Sequence, residues 1–238
     1  GITYLAEHSK LKTLVVIKEF FPNQLVYRAD DGVRVEPNPD YEDEAGHFLE
    51  SFEKEAQLLA TFAHNNIVQV TDVFEANDTA YIVMHYERGE TLERRLRSGE
   101  LRAQADLERL LVPLMEALTA LHERGVIHRD IKGDNVIVRE DGSPVLIDFG
   151  SARVAHGVAT QTVTALVTPG YAPIEQFDPD SSRLGPWTDI YALGATLYRA
   201  LSGKPPTQAF VRSSTLADQR PDPFTPLNLG EYPQYTPA

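Results

Sequence analysis

The 238-residue chain carries 22 Lys and Arg against 35 Asp and Glu. The resulting net charge of −13 disfavours unspecific attraction to nucleic acid or to an anionic membrane surface. With no cysteine there is neither a disulfide framework nor a thiolate metal site, which fits a reducing compartment such as the cytoplasm. A hydrophobic content of 42% is enough for one large domain or two lobes, and no apolar run approaches the roughly 20 residues that span a bilayer.

In chain order, residues 2–6 and 13–20 read as strands joined by a polar turn at 7–12, the second strand rich in β-branched residues. Breakers at Pro22, Asp31-Gly32 and Glu36-Pro37-Asn38-Pro39 mark an insertion-like loop with one small hairpin. Over residues 42–62, Phe48, Phe52, Leu58, Leu59 and Phe62 recur near helical spacing, with acids on the opposite face. Strands at 67–73 and 81–85, separated by a turn at 75–78, complete a small antiparallel sheet. A short helix is expected over 91–97 and a long one over 105–123, whose Leu107, Leu110, Leu111, Leu114, Leu118 and Leu121 form a core stripe. Pro113 is expected to kink that helix, and Gly125 to end it. Residues 187–202 read as a further helix with Gly194 as a close-packing site, after which the chain turns proline-rich with no more helix evident.

Functional information concentrates in residues 126–150, VIHRDIKGDNVIVREDGSPVLIDFG. Two apolar runs, Val136-Ile137-Val138 and Val145-Leu146-Ile147, flank a polar turn whose Asp141-Gly142 pair is a strong hairpin signal. His128, Arg129, Asp130, Lys132 and Asn135 stand before that hairpin, and Asp148, Phe149 and Gly150 after it. Three potential carboxylate or amide ligands therefore converge on one cleft, which suits phosphoryl transfer from a metal-bound nucleotide.

HRDIKGDN followed across a hairpin by DFG resembles the catalytic and metal-binding loops of eukaryotic-type protein kinases. The position of Lys132 resembles the Ser/Thr-specific branch, and Lys-Glu-Phe-Phe-Pro from Lys18 is similar to a set of bacterial Ser/Thr kinases. The resemblance implies an α+β, bilobal fold with ATP between the lobes. Residues 1–86 would form an antiparallel β N-lobe with the family's αC helix, and residues 87–238 a mainly helical C-lobe. Gly1 resembles the last glycine of an incomplete Gly-rich loop, and the final helices of the larger lobe are not evident, so the chain reads as a fragment cut at both ends.

The family's roles carry over residue by residue. Val15-Val16-Ile17-Lys18 resembles the Val-Ala-Ile-Lys strand, which implies that Lys18 contacts the α- and β-phosphates. Val16, where alanine is usual, and Thr3 would lie over adenine, with Ile137 as its apolar floor. Glu55 is the carboxylate expected to pair with Lys18, with Glu53 its competitor. Met84 stands at the gatekeeper position, and the His85 carbonyl and Glu87 amide would read the base. Asp130 is the implied catalytic base, Lys132 the neutraliser of the moving phosphoryl, and Asn135 and Asp148 the magnesium ligands.

His128 is implied to pack near Phe149, and Thr168 to bridge Asp130 and Lys132. Asp189 resembles the buried aspartate that accepts hydrogen bonds from the catalytic-loop backbone, and Glu175 resembles the glutamate whose usual partner is a distal arginine. Arg129 is suited to a phosphate on the activation segment, residues 151–174, where Thr160, Thr162 or Thr164 is the expected phosphosite and Thr164 is favoured. The reading is therefore an ATP- and magnesium-dependent kinase acting on Ser and Thr hydroxyls of proteins. Its rivals are a nucleotide-binding scaffold without turnover and a small-molecule phosphotransferase; retention of Lys18, Asp130, Asn135 and Asp148 opposes the first, and Lys132 the second.

Overall fold

The computed structural model describes residues 1–101, 103–149, 153–154, 168–178, 181–228, 230 and 235. They fall into two compact units, Gly1–Glu87 and Arg88–Ala238. Gly150, Thr160, Thr162 and Thr164 lie outside the described residues.

In the first unit, β1 (Ile2–Glu7) and β2 (Leu14–Glu19) pair antiparallel, with Thr3 opposite Lys18 and Leu5 opposite Val16. The insertion holds the expected small hairpin. Its strands β3 (Val26–Arg28) and β4 (Val35–Pro37) form a hairpin with a small core of Leu25, Val26, Val35 and Ala45, against which Phe21 and Phe48 pack. Helix α1 (Glu42–Leu59) begins with three acids, which the partial positive charge of a helix N-terminus favours, and buries Ala45, Phe52, Ala56 and Leu59. Strands β5 (Val70–Ala76) and β6 (Thr79–His85) complete an antiparallel sheet of order β1-β2-β6-β5.

The β5–β6 connection corrects the expected four-residue turn. Only Asn77 and Asp78 lie outside the strands, both left-handed at φ 54° and 57°. That is the geometry of a two-residue hairpin loop whose twist matches its strands, and Asn and Asp tolerate it best after glycine. β5 accordingly starts and ends three residues later than the apolar pattern suggests.

In the second unit, β7 (Gly89–Thr91) leads into α2 (Leu92–Ser98), whose Thr91 hydroxyl caps the Arg94 amide and whose end turns through left-handed Gly99. Helix α3 (Gln104–His122) buries Leu107, Leu110, Leu114, Ala117, Leu118 and Leu121; Leu111, expected in this stripe, is half-buried. It runs without interruption through Pro113. Each fully buried leucine stabilises the unit by roughly 1.5–3 kcal/mol, so packing outweighs the lost backbone donor.

β8 (Val126–Ile127) is followed by the hairpin β9 (Val136–Arg139) and β10 (Pro144–Leu146), with left-handed Gly142 in its turn. β9 also pairs with β7, while β11 (Arg153–Val154) pairs with β8. Helix α4 (Pro186–Ser202) buries Thr188, Asp189, Ala192, Leu193, Ala195 and Thr196. Gly194 corrects the expectation of close packing: it is exposed, and nothing lies within 4 Å of where a Cβ would sit. A helix that the proline-rich reading misses, α5 (Ala209–Ala217), follows. Its Arg212 makes a two-bond contact with Asp222 at 2.7 and 3.1 Å and lies 4.5 Å over the Phe224 ring.

Candidate active site

The segment between β8 and β9 is held in shape by a fully buried carboxylate on α4. Asp189 accepts hydrogen bonds from the backbone amides of His128 at 2.9 Å and Arg129 at 2.8 Å, and pairs with His122 Nε2 at 2.8 Å. Arg129 adopts φ 71°. A non-glycine residue in that region costs of order 1–3 kcal/mol, so the surrounding bonds must fix it. Asp189 holds its amide and buried Gln176 donates to its carbonyl at 2.8 Å.

That kink presents Asp130. Its Oδ1 accepts from the Thr168 hydroxyl at 2.6 Å, and its Oδ2 from Lys132 Nζ at 2.7 Å and Asn135 Nδ2 at 2.7 Å. Lys132 Nζ also donates to Thr168 Oγ1 at 2.9 Å, and Asn135 Nδ2 to the Asp130 carbonyl at 2.8 Å. A carboxylate offers about four lone-pair sites. With one bond on Oδ1 and two on Oδ2, the remaining acceptor position is on Oδ1. Both Asn135 bonds run through its amide nitrogen, which directs the amide oxygen, a hard ligand, elsewhere.

His128 is buried, 4.5 Å ring to ring from Phe149. Burial lowers its pKa against the opposing pull of Asp189, Asp130 and Asp148, so the imidazole is neutral at pH 7. A single tautomer satisfies it: Nε2–H donates to the Ile147 carbonyl at 3.2 Å and Nδ1 accepts from the Asp130 amide at 3.3 Å. His128 is thus a scaffold rather than a proton carrier. Asp148 follows β10 exposed and left-handed at φ 59°. Ile137 lies on β9 opposite Val145 and Thr91, and a Cβ on Gly89 would come within 2.9 Å of its Cγ2.

Other expected residues lie in the first unit. Lys18 sits on β2 between Thr3 and Ile82, on the strand face opposite Glu19. Gly1 approaches closely: a Cβ there would meet the Glu19 carbonyl at 2.8 Å and Lys18 Cε at 3.5 Å. Val16 pairs with Met84, which is buried near the end of β6. His85 is exposed and its amide donates to the Gln69 carbonyl at 3.0 Å; Glu87 closes the unit. Glu53 and Glu55 are both half-buried on α1. Glu53's pKa is raised by burial and by neighbouring Glu75 and Glu50.

Several functional contacts escape sequence reading. Gln176 has no motif signal beyond its place after Glu175, whose Oε1 accepts from the Thr188 hydroxyl at 3.1 Å. Gly133 lies so close to α2 that a Cβ would stand 2.9 Å from the Glu93 amide nitrogen. Glu93, itself buried, accepts from Arg97 at 2.7 Å and Arg199 at 2.8 Å.

The family model described as "Protein kinase domain" matches residues 35–224. Among curated proteins, PknA of Nostoc is 31% identical over 222 residues, spanning 87% of this chain and 36% of that protein. Kinase cds1 of Schizosaccharomyces pombe is 36% identical over 162 residues (66% of this chain, 35% of that protein), and a probable PknB of Corynebacterium glutamicum is 34% identical over 169 (67% and 26%). All three are named as serine/threonine-protein kinases, and the chain spans about a quarter to a third of their lengths. The solved structure "PpkA-294 apo form" matches with a TM-score of 0.81 at 36% identity, covering 100% of this chain and 81% of that one.

Proposed function

The chain belongs to the protein kinase domain family, with the fold of that family, and we propose that it transfers the γ-phosphoryl group of ATP to Ser and Thr hydroxyls of proteins. The observation that carries this reading is the closed hydrogen-bond set of Asp130, Lys132, Thr168 and Asn135. Asp130 Oδ1 receives the acceptor hydroxyl's hydrogen bond and takes its proton as the oxygen bonds to phosphorus and the bond to the β-phosphate oxygen breaks. Lys132, held by both Asp130 and Thr168, lies beside the carboxylate to offset charge on the moving group.

ATP-dependent catalysis is the family's chemistry. The donor set fits magnesium, which takes one or two protein oxygens and completes its shell with water and phosphate. Asn135 and Asp148 would supply those oxygens, and the ion would neutralise phosphate charge. Among the described residues there is no cluster of three or more His, Asp or Glu side chains able to hold an ion. Lys18, braced by Glu55, would hold the α- and β-phosphates, with Gly1, Thr3, Val16, Met84, His85 and Glu87 of the same unit around the nucleoside. No helix among the described residues is long and apolar enough to cross a membrane.

Incubation with γ-labelled ATP, magnesium and a Ser/Thr peptide tests the reading. Label should appear on the peptide, and fall at least about 100-fold in K18M and D148N. Undiminished transfer in both variants would overturn the assignment.

A further inference from the structure

The stretch between β2 and α1 lies largely before the family-model match, which begins at residue 35, yet it contributes Arg28 to a polar cluster around buried Glu19. Glu19, next to Lys18, is buried to 1% exposure. Its Oε1 accepts from the Tyr81 hydroxyl at 2.8 Å, and its Oε2 from the Tyr4 hydroxyl at 2.8 Å and from the Arg28 guanidinium. Arg28 belongs to the inserted hairpin and also lies 4.7 Å over the Phe21 ring. The three donors outweigh burial and keep the Glu19 carboxyl below its ordinary range, so the pair is ionised.

The same hairpin grips the sheet end and the helix. The Val35 amide donates to the Asn77 carbonyl at 2.9 Å, and Asn77 Nδ2 to the Tyr81 hydroxyl at 3.0 Å, which closes the circuit back to Glu19. Thr79 Oγ1 donates to the Phe20 carbonyl at 2.8 Å. On the helix side, Val26 and Val35 share a core with Ala45 and Phe48 of α1, and Phe20 packs on Phe52 at 5.5 Å. An ion pair with one member buried and the other half-buried is weak evidence for stability, since desolvation offsets much of the attraction. Its value here is geometric.

We propose that the Val26–Pro37 hairpin is a built-in brace fixing α1 relative to the strand that bears Lys18, with Arg28 as a positioning residue acting through Glu19. The inference rests on the assignment of Lys18 and Glu55 to phosphate binding made above. The brace supplies from within the chain the restraint that keeps a helix-borne carboxylate in register with a strand-borne lysine. A misplacement of about 1 Å at such a pair can cost as much as ~100-fold in rate.

The test uses E19Q/R28M, which removes the pair without leaving a buried unpaired charge, together with R28K and K18M. The chain has no cysteine, so spin labels at Lys54→Cys on α1 and Thr71→Cys on β5, both exposed, report the helix position directly. In the double variant kcat should fall about 10-fold with the KM for the peptide unchanged, the label distance distribution should broaden, and R28K should recover most of kcat. Parental kcat in the double variant overturns the brace, as does a loss of kcat with an unchanged label distribution. Parental transfer in K18M would instead overturn the assignment of Lys18 on which the inference rests.

Discussion

Replacing Asp189 by Asn removes one negative charge and exchanges an acceptor oxygen for an amide that donates. The native carboxylate meets three donors, the His128 amide, the Arg129 amide and His122 Nε2. An Asn offers one acceptor oxygen, so at least one backbone N–H in a fully buried site is left facing another donor. Losing a hydrogen bond to a charged group costs about 1.5–3 kcal/mol, and an unsatisfied buried donor about 1–3 kcal/mol. The expected destabilisation is therefore about 3–5 kcal/mol. Trp187, the chain's single tryptophan, lies two residues away, so its fluorescence in a denaturant series reads this region selectively. Phosphoryl transfer by the still-folded fraction should also fall, because the left-handed Arg129 that aims Asp130 loses an anchor. A shift below about 1 kcal/mol with parental transfer would refute the view that Asp189 holds the loop.

Thr168→Val deletes the bonds to Asp130 and Lys132 together, and should lower peptide phosphorylation about 10- to 100-fold while nucleotide affinity, measured by titration calorimetry, stays within about 2-fold. Gly133→Ala should destabilise the second unit by about 1–3 kcal/mol, read from Trp187 fluorescence, because the new methyl meets α2 backbone. Stability should decline on acidification from about pH 7, where His128 remains neutral in the fold but takes up a proton once unfolded. Glu19 adds to that decline at lower pH: its folded pKa is depressed, so the unfolded chain binds more protons there as well. Denaturation midpoints measured from pH 8 to 4 should therefore fall steadily, and a midpoint that rises on acidification would contradict both assignments.

What could be read from sequence was what is local in the chain. The residues from His128 to Phe149 contact one another across one tight hairpin, so residue spacing alone brings most of that set together. Thr168 was legible only through family resemblance, and its bond to Asp130 spans 38 positions. The contacts of Glu19 were not legible from its place in Lys-Glu-Phe-Phe-Pro, because its partner Tyr81 lies 62 residues away and Arg28 sits within the inserted segment. The prolines at 205, 206, 221, 223 and 226 flank α5 rather than interrupt it, so composition hid a nine-residue helix. Gly194 misled in the opposite direction, since a glycine inside a helix has no side chain to show whether its face is buried or open.

The central claim is that Asp130 takes the proton of a Ser or Thr hydroxyl during phosphoryl transfer. Single-turnover transfer of γ-labelled phosphate from Mg-ATP to a Ser/Thr peptide, compared between the parent chain and Asp130→Asn, tests it most directly. The account predicts a loss of at least about 100-fold in the transfer step with ATP binding retained, since general-base catalysis contributes on the order of 100- to 10,000-fold. Equal single-turnover rates in the two proteins would contradict it.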